Sequence, residues 1–217
     1  MAPEREPLGA LQQDAARHRD EWGIEFSRIV AFSDGVFAIA ITLLVLTIEI
    51  PENSHDLTRV LDNQIGDFFA YALSFAVLGK LWLAHHRFFS ALARFDPILM
   101  GINLVYLAFV ALVPFTSELL GDYSNQSIAV IFYAASMFAV SITFTIQIVY
   151  SYRADLVKPE MRDLERRMAG PSNLIVAGLF LASIPVAAIA PSVAPFMWIG
   201  VFLTGRRVAD RVAALRA

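Results

Sequence analysis

Two charged residues begin the first apolar segment of this 217-residue chain. The segment, RIVAFSDGVFAIAITLLVLTIEIP, runs from Arg28 to Pro51, and the fourteen residues between Asp34 and Glu49 carry no charge. Charged side chains within hydrocarbon are costly and mark functional sites by default. Asp34 lies about 9 Å beyond Arg28 along a helix, and partners on one helix are three or four residues apart. Each of the two therefore needs a partner on another helix.

Candidate partners occur near the end of the second apolar segment, in the stretch GKLWLAHHRFF. They are Lys80, Trp82, His85, His86 and Arg87. A histidine there can bridge an arginine and an aspartate, because imidazole both accepts and donates hydrogen bonds. This predicts a polar network between helices. Two alternatives stay open: the tryptophan and histidines anchor the helix end at the membrane interface, or Asp34 caps an interrupted helix.

Metal-binding and catalytic chemistry find little support in the sequence. Adjacent histidines point to different sides of a helix and no carboxylate lies at ligand spacing, so we expect no metal site and no cofactor. The sequence contains no nucleophile–base–acid set and no glycine-rich nucleotide motif, so we expect no enzyme. With no cysteine and a net charge of −3, thiolate chemistry is excluded and nucleic-acid binding is not expected.

A second pattern lies deeper in the first segment. Ile39, Leu43 and Leu46 recur at helical spacing and form one narrow apolar stripe, with Thr42 beside it. If several copies of this helix surround an axis, the stripe becomes stacked apolar rings with a hydroxyl ring nearby. Hydrophobic constrictions of that kind gate ion pores. From the residues alone, helix packing is the stronger interpretation of an isoleucine and leucine stripe.

The overall composition indicates an integral, multi-pass membrane protein of the all-α class. Apolar residues make up 57% of the chain and charged residues 17%, with a mean hydropathy of +0.58. A span needs about 20 apolar residues. Six segments are predicted to span: 29–50, 66–84, 97–120, 125–151, 172–190 and 192–205. Polar residues within them, such as Asn103, Gln147 and Asn173, are expected to hold helices together.

The distribution of basic residues predicts the orientation. With six spans and both termini cytoplasmic, Arg59 is the only Lys or Arg in an outer loop, as the positive-inside rule requires. We expect a polar cytoplasmic segment over residues 1–27, a six-helix transmembrane domain over 28–207 and a short cytoplasmic tail over 208–217. Residues 1–27 lack a signal-peptide core, so the first apolar segment is expected to remain in the mature protein.

The first helix resembles that of the transmembrane protein 175 family, the endosomal–lysosomal potassium channels and their prokaryotic relatives. The matching pattern is Arg28, then Phe32, Ser33 and Asp34, and the run WLAHHRFF resembles the Trp/His segment of the family's second helix. With six spans, the similarity extends over nearly the whole chain from residue 25 onward.

The resemblance implies a potassium-permeable channel, selective for potassium over sodium, in the plasma membrane of a prokaryotic cell. Its partners would be three further copies in a homotetramer and the lipid bilayer, with potassium ions as permeant and the first helix lining the pore. By position, Ile39, Leu43 and Leu46 match the apolar constriction, and Thr42 matches a pore-facing hydroxyl. The residues that match the structural polar network are Arg28, Phe32, Ser33, Asp34, Trp82, and His85 or His86.

Two other functions remain open at this point. In a proton-coupled or other secondary transporter, Asp34 and His85 or His86 would exchange protons. Such a carrier usually has repeated halves with broken helices, and no internal repeat is evident in the sequence. A non-conducting membrane scaffold is compatible with the polar network alone.

Overall fold

The structure, a computed structural model, describes residues 8–48 and 65–202, with side chains over 24–48, 65–162 and 173–202. Its helices are α1 (Leu8–Leu43), α2 (Ile65–Ser90), α3 (Pro97–Asp122), α4 (Ser127–Arg153), α5 (Arg162–Ile189) and the short α6 (Ala194–Trp198). Short 3-10 turns cover Leu44–Thr47 and Pro159–Met161. The described residues contain no β-strand, which agrees with the predicted all-α class.

Four helical stretches are long and apolar enough to cross a membrane: Ile24–Thr47, Ile65–Ser90, Pro97–Asp122 and Ser127–Arg153. They fall where the first four spans were predicted. The apolar part of α5, Asn173–Ile189, is shorter than a full span. The predicted sixth span, residues 192–205, ends outside the described residues, so the count of six remains a prediction.

The first helix extends well before the apolar segment that it contains. α1 begins at Leu8 and continues without interruption through Asp34 to Leu43. The boundary predicted between residues 27 and 28 is one of composition, and α1 crosses it as a single helix. Residues 8–23 contain several alanine, glutamine and arginine residues, which are good helix formers but give no strong hydropathy signal.

The start of α3 is fixed by a side-chain cap. Asp96 accepts a 2.8 Å hydrogen bond from the backbone N–H of Leu99, and Pro97 occupies the first helical position, where its missing N–H costs nothing. The other carboxylate oxygen of Asp96 accepts from the Tyr150 hydroxyl at 2.5 Å. This bond joins the beginning of α3 to the end of α4.

The core of the subunit lies around α4, the most deeply buried of the four candidate spans. Tyr133, Val140 and Phe144 on α4 are fully or almost fully buried. The Ser74 hydroxyl of α2 lies 2.9 Å from the Ser117 hydroxyl of α3 and 3.0 Å from the Tyr133 hydroxyl, so one hydroxyl group connects three helices. In a medium without water, such bonds hold helices together.

Two helix-connecting loops meet at one end of the bundle. Leu92, after α2, forms an isolated antiparallel bridge with Val157, after α4. Asp155 adopts a left-handed backbone conformation (φ 58°) and its carboxylate pairs with Arg162 at 2.7 Å. Because the loops touch, they lie on the same side of the membrane. The predicted orientation likewise places both loops inside.

Candidate pore surface and the polar residues behind it

α1 has two distinct faces within its apolar part. One face is buried against α2 and α3 and consists of Ser33, Phe37 and Ala40, and it continues into the 3-10 turn after α1 with Leu44 and Thr47. Their spacing of three or four residues keeps them on one side of the helix. The remaining surface is exposed, and α1 is the least buried of the four candidate spans.

The exposed surface carries all four residues predicted to line a pore. Ile39 is 62% exposed, Leu43 42% and Leu46 70%, and Thr42 lies beside them, also exposed. The Thr42 hydroxyl donates a 2.9 Å hydrogen bond to the backbone carbonyl of Ile39. Its proton is thus used within the helix, and the lone pairs of its oxygen remain available to accept from, or coordinate, a group outside it.

Behind this surface, a chain of hydrogen bonds crosses three helices. Nε2 of His85 on α2 lies 2.9 Å from Oδ1 of Asn103 on α3, and Nδ2 of Asn103 donates to the Ser33 hydroxyl on α1 at 3.0 Å. Ser33 in turn donates to the Ile29 carbonyl at 2.9 Å. Since the Asn103 oxygen is the acceptor, His85 is the donor, and the four groups form one directed chain.

The two adjacent histidines occupy different environments. His85 is 1% exposed and its ring stacks on Phe89 and Tyr106, with ring centroids 4.3 and 5.3 Å apart. His86 is exposed and contacts the Trp82 ring, 5.8 Å between centroids. The apolar stripe of α2 could have distinguished them, because His85 shares its face with the buried Leu81 and Phe88.

Asp34 has its partner on α2. The indole Nε1 of Trp82 donates to the Asp34 carboxylate at 2.8 Å. Since α1 continues unbroken past this point, Asp34 does not cap an interrupted helix. Asp34 and His85 share no hydrogen bond in the described part of the chain. Another candidate, Lys80, donates to the Val201 carbonyl near the end of the described chain.

Arg28 and Phe32 differ from the expectation. Both are exposed, and within the described residues Arg28 forms no ion pair and no hydrogen bond. Arg28 was expected to find a partner on another helix, but the bonds from α2 and α3 go to Asp34 and Ser33 instead. Six residues turn a helix by about 600°, so Arg28 points roughly 120° away from Asp34.

Asn103, by contrast, connects His85 of α2 with Ser33 of α1. The sequence predicted a polar network between helices but did not place Asn103 between these two residues. Asn103 is the only amide side chain in α3, and the sequence had already marked it as a residue that holds helices together.

These features define an all-helical, multi-pass integral membrane protein in which the apolar helix α1 has one exposed face and one face fixed by polar bonds. The sequence profile of the family described as endosomal/lysosomal potassium channel TMEM175 matches residues 28–114. In structure, the chain is similar to the lysosomal potassium-selective channel TMEM175 homologue from Chamaesiphon minutus. The TM-score is 0.76 and the identity 30%, and the match covers 85% of this chain and 98% of that one. The chain belongs to the TMEM175 family, a family of ion channels rather than enzymes.

Curated relatives agree with this assignment. A potassium channel of Streptomyces collinus is 41% identical over 126 residues, which is 55% of this chain and 61% of that protein. A potassium channel of Chamaesiphon minutus is 40% identical over 127 residues, 55% of this chain and 63% of that protein. The chain thus spans about three fifths of the length of these relatives.

Proposed function

We propose that this protein is a potassium-permeable channel whose pore is lined by α1 from several copies, most simply four. Family membership supports the channel class. The observation that carries the choice of helix is the division of α1 and the 3-10 turn after it into a buried face and an exposed face, with Ile39, Thr42 and Leu43 on α1 and Leu46 on the turn.

The exposed stripe fits a hydrophobic constriction. Rings of Ile39 and Leu46 side chains around an axis would exclude water when narrow and admit hydrated or partly dehydrated cations when slightly wider. Small rotations or displacements of α1 would therefore switch conduction. No charged group is required at the constriction, which agrees with the absence of a charge between Asp34 and Glu49.

Thr42 supplies the polar group that an otherwise apolar constriction lacks. Because its proton is bonded to the Ile39 carbonyl, its oxygen presents lone pairs outward. A ring of such oxygens would replace part of the hydration shell of a passing cation. Potassium loses its hydration shell more readily than sodium, so the arrangement favours potassium, with modest selectivity.

The polar residues behind α1 set its rotation. Ser33 is tied through Asn103 to His85, and Asp34 is tied to Trp82. Breaking either connection within the membrane leaves polar groups without partners, which is costly. The connections thereby hold the Ile39 face away from the subunit's own core, while the exposed His86 is available for contacts between copies.

A cation-flux assay tests the proposal. Purified protein in liposomes is expected to show passive flux that follows the potassium gradient without saturation, with potassium exceeding sodium, and proton flux is recorded in parallel. Its mass in detergent is expected to be that of a tetramer. Exchange of potassium that saturates and requires a proton gradient would contradict a channel and support a carrier. A well-folded protein with no flux of any cation would support a scaffold.

A variant of the polar connections provides a second test. Asp34→Ala removes the acceptor of the Trp82 N–H, and loss of tetramer or of potassium flux is expected. Asp34→Asn retains an acceptor oxygen and is the matched control, expected to preserve assembly. Retention of both assembly and flux by Asp34→Ala would contradict the role given to this bond.

A further inference from the structure

Arg28 lies on the same face of α1 as the proposed constriction. Ile39 follows Arg28 by eleven residues, which corresponds to three full helical turns plus about 20°. The two side chains therefore point in nearly the same direction, about 16 Å apart along the helix axis. This count holds because α1 is an uninterrupted α-helix from Leu8 to Leu43. If Ile39 faces a shared axis, Arg28 faces the same axis nearer the cytoplasmic end.

The charge of Arg28 is not neutralised within the described part of the subunit. Arg28 is exposed and forms no ion pair there. It lies at a cavity of about 610 Å³ between α1 and α3, which is also lined by Glu25 and Asp96. Asp96 is already bonded to the Leu99 N–H and the Tyr150 hydroxyl. Glu25, three residues before Arg28, makes no ion pair with it in the described structure.

We propose that the Arg28 side chains form a ring of positive charge at the inner mouth of the pore, and that this ring makes conduction directional and disfavours divalent cations. This inference rests on the proposed function, in which α1 lines the pore. A ring of like charge at a pore mouth lowers the local concentration of cations. The effect grows with the charge of the ion, because the Boltzmann factor for a divalent ion is the square of that for a monovalent ion.

The magnitude follows from screened electrostatics. At distances near the Debye length of about 8 Å, several unit charges change the local concentration of a monovalent cation by about two- to fivefold. Potassium entering from the inside is reduced by this factor, whereas potassium entering from the outside meets the constriction first. The asymmetry is expected to shrink as salt is raised, since screening shortens the range of the charge.

Currents recorded in excised membrane patches test the ring with matched variants. Arg28→Gln is expected to raise outward potassium current two- to fivefold at low salt and to raise magnesium permeability by a larger factor. Arg28→Lys retains the charge and is expected to retain the asymmetry. Arg87→Gln removes an exposed charge from the same end of the subunit but from α2, and is expected to change neither quantity. Equal currents for Arg28→Gln, Arg87→Gln and wild type would overturn the proposal.

A chemical test exploits the cysteine-free sequence. Arg28→Cys introduces a single thiol, to which positively or negatively charged methanethiosulfonate reagents are added from the cytoplasmic side. The positive adduct is expected to restore the wild-type asymmetry and the negative adduct to reverse it. Confirmed modification without a difference between the two signs would overturn the proposal.

The oligomeric state of the Arg28 variants shows whether Arg28 acts on ions in the pore or holds the copies together. If Arg28→Gln loses the oligomer while Arg28→Lys keeps it, Arg28 joins copies together and the ring is overturned. Wild-type protein without passive potassium flux would instead remove the proposed function itself. If wild-type protein shows passive potassium flux and the Arg28 variants have the same outward current and magnesium permeability as wild type, only this inference is overturned.

Discussion

α1 and α4 are both strongly apolar, yet they use their surfaces in opposite ways. α4 buries most of its residues in the subunit, including Tyr133, Val140 and Phe144, whereas α1 buries one face and leaves Ile39 and Leu46 exposed. Apolar composition therefore marks a span but does not give its role. The role of α1 is indicated by what lies behind the exposed face, because its buried side is held by directed polar bonds.

The same substitution on both helices tests this difference most directly. Val140→Asn puts an amide without a partner into the core and is expected to destabilise the fold by about 2–4 kcal/mol. Ile39→Asn is expected to cost under about 1 kcal/mol, but to raise potassium leak roughly tenfold, equivalent to about 1.4 kcal/mol off the barrier. Thermal unfolding in detergent and liposome flux measure the two effects.

Ile175→Asn is the matched control for the flux. Ile175 lies on α5 and is 54% exposed, close to the exposure of Ile39. Its replacement is expected to leave the leak at the wild-type level. If Ile39→Asn and Ile175→Asn behave alike, the exposed face of α1 is an ordinary lipid or packing surface.

The second prediction removes the centre of the chain behind α1. Asn103→Leu leaves His85 Nε2 and the Ser33 hydroxyl without their partners and is expected to cost about 1–2 kcal/mol. Because the rotation of α1 is then less restrained, potassium selectivity is expected to fall as well. Thermal unfolding and paired potassium and sodium fluxes measure the change.

A comparable asparagine on the α4 side supplies the control. Asn173 on α5 donates to the Ser141 carbonyl and the Thr145 hydroxyl of α4. Asn173→Leu is expected to destabilise by a similar amount while preserving selectivity, because it does not touch α1. Loss of selectivity in both variants would show that selectivity reports only general stability.

Sequence reasoning located the helices better than it located their faces. The first four spans were found because apolar runs and charged ends determine where a chain can cross a membrane. The helical stretch from Leu8 to Gly23, before the apolar segment, was not predicted, since polar helix formers carry no hydropathy signal. The side on which Arg28 lies follows from helical periodicity alone, but its lack of an ion pair depends on how α3 packs.

The choice between His85 and His86 shows the same limit at the site. The chemistry of the two residues is identical, and only the register of α2 against α3 decides which one meets Asn103. Tertiary packing sets that register, through contacts such as those of His85 with Phe89 and Tyr106. The sequence named both histidines, and its one local sign in favour of His85 was that this residue shares a helix face with Leu81 and Phe88.

The third prediction concerns the hydroxyl on the exposed face. Thr42→Val keeps the shape of the side chain and removes its oxygen, so potassium-over-sodium selectivity is expected to fall about threefold, or roughly 0.7 kcal/mol. Stability is expected to stay unchanged, because the hydroxyl bonds only within its own helix. Thr42→Ser is the control that retains the oxygen, and bi-ionic reversal potentials measure the ratio. Equal ratios for valine and serine would exclude Thr42 from the ion path.

The smallest expected effect has the opposite sign and lies on α4. Gln147 is fully buried, and neither its amide nitrogen nor its amide oxygen bonds to another group in the described part of the chain. An amide buried in this way opposes folding, whereas leucine has a similar size and no polar atoms to satisfy. Gln147→Leu is therefore expected to stabilise the protein by about 0.5 kcal/mol, seen as a higher midpoint of thermal unfolding, with flux unchanged. A lower midpoint would mean that the amide of Gln147 binds ordered water. The polar contacts of α4, which already include the bond between the Tyr133 and Ser74 hydroxyls, would then extend to Gln147, and the contrast between the two helices would rest on the exposed stripe alone.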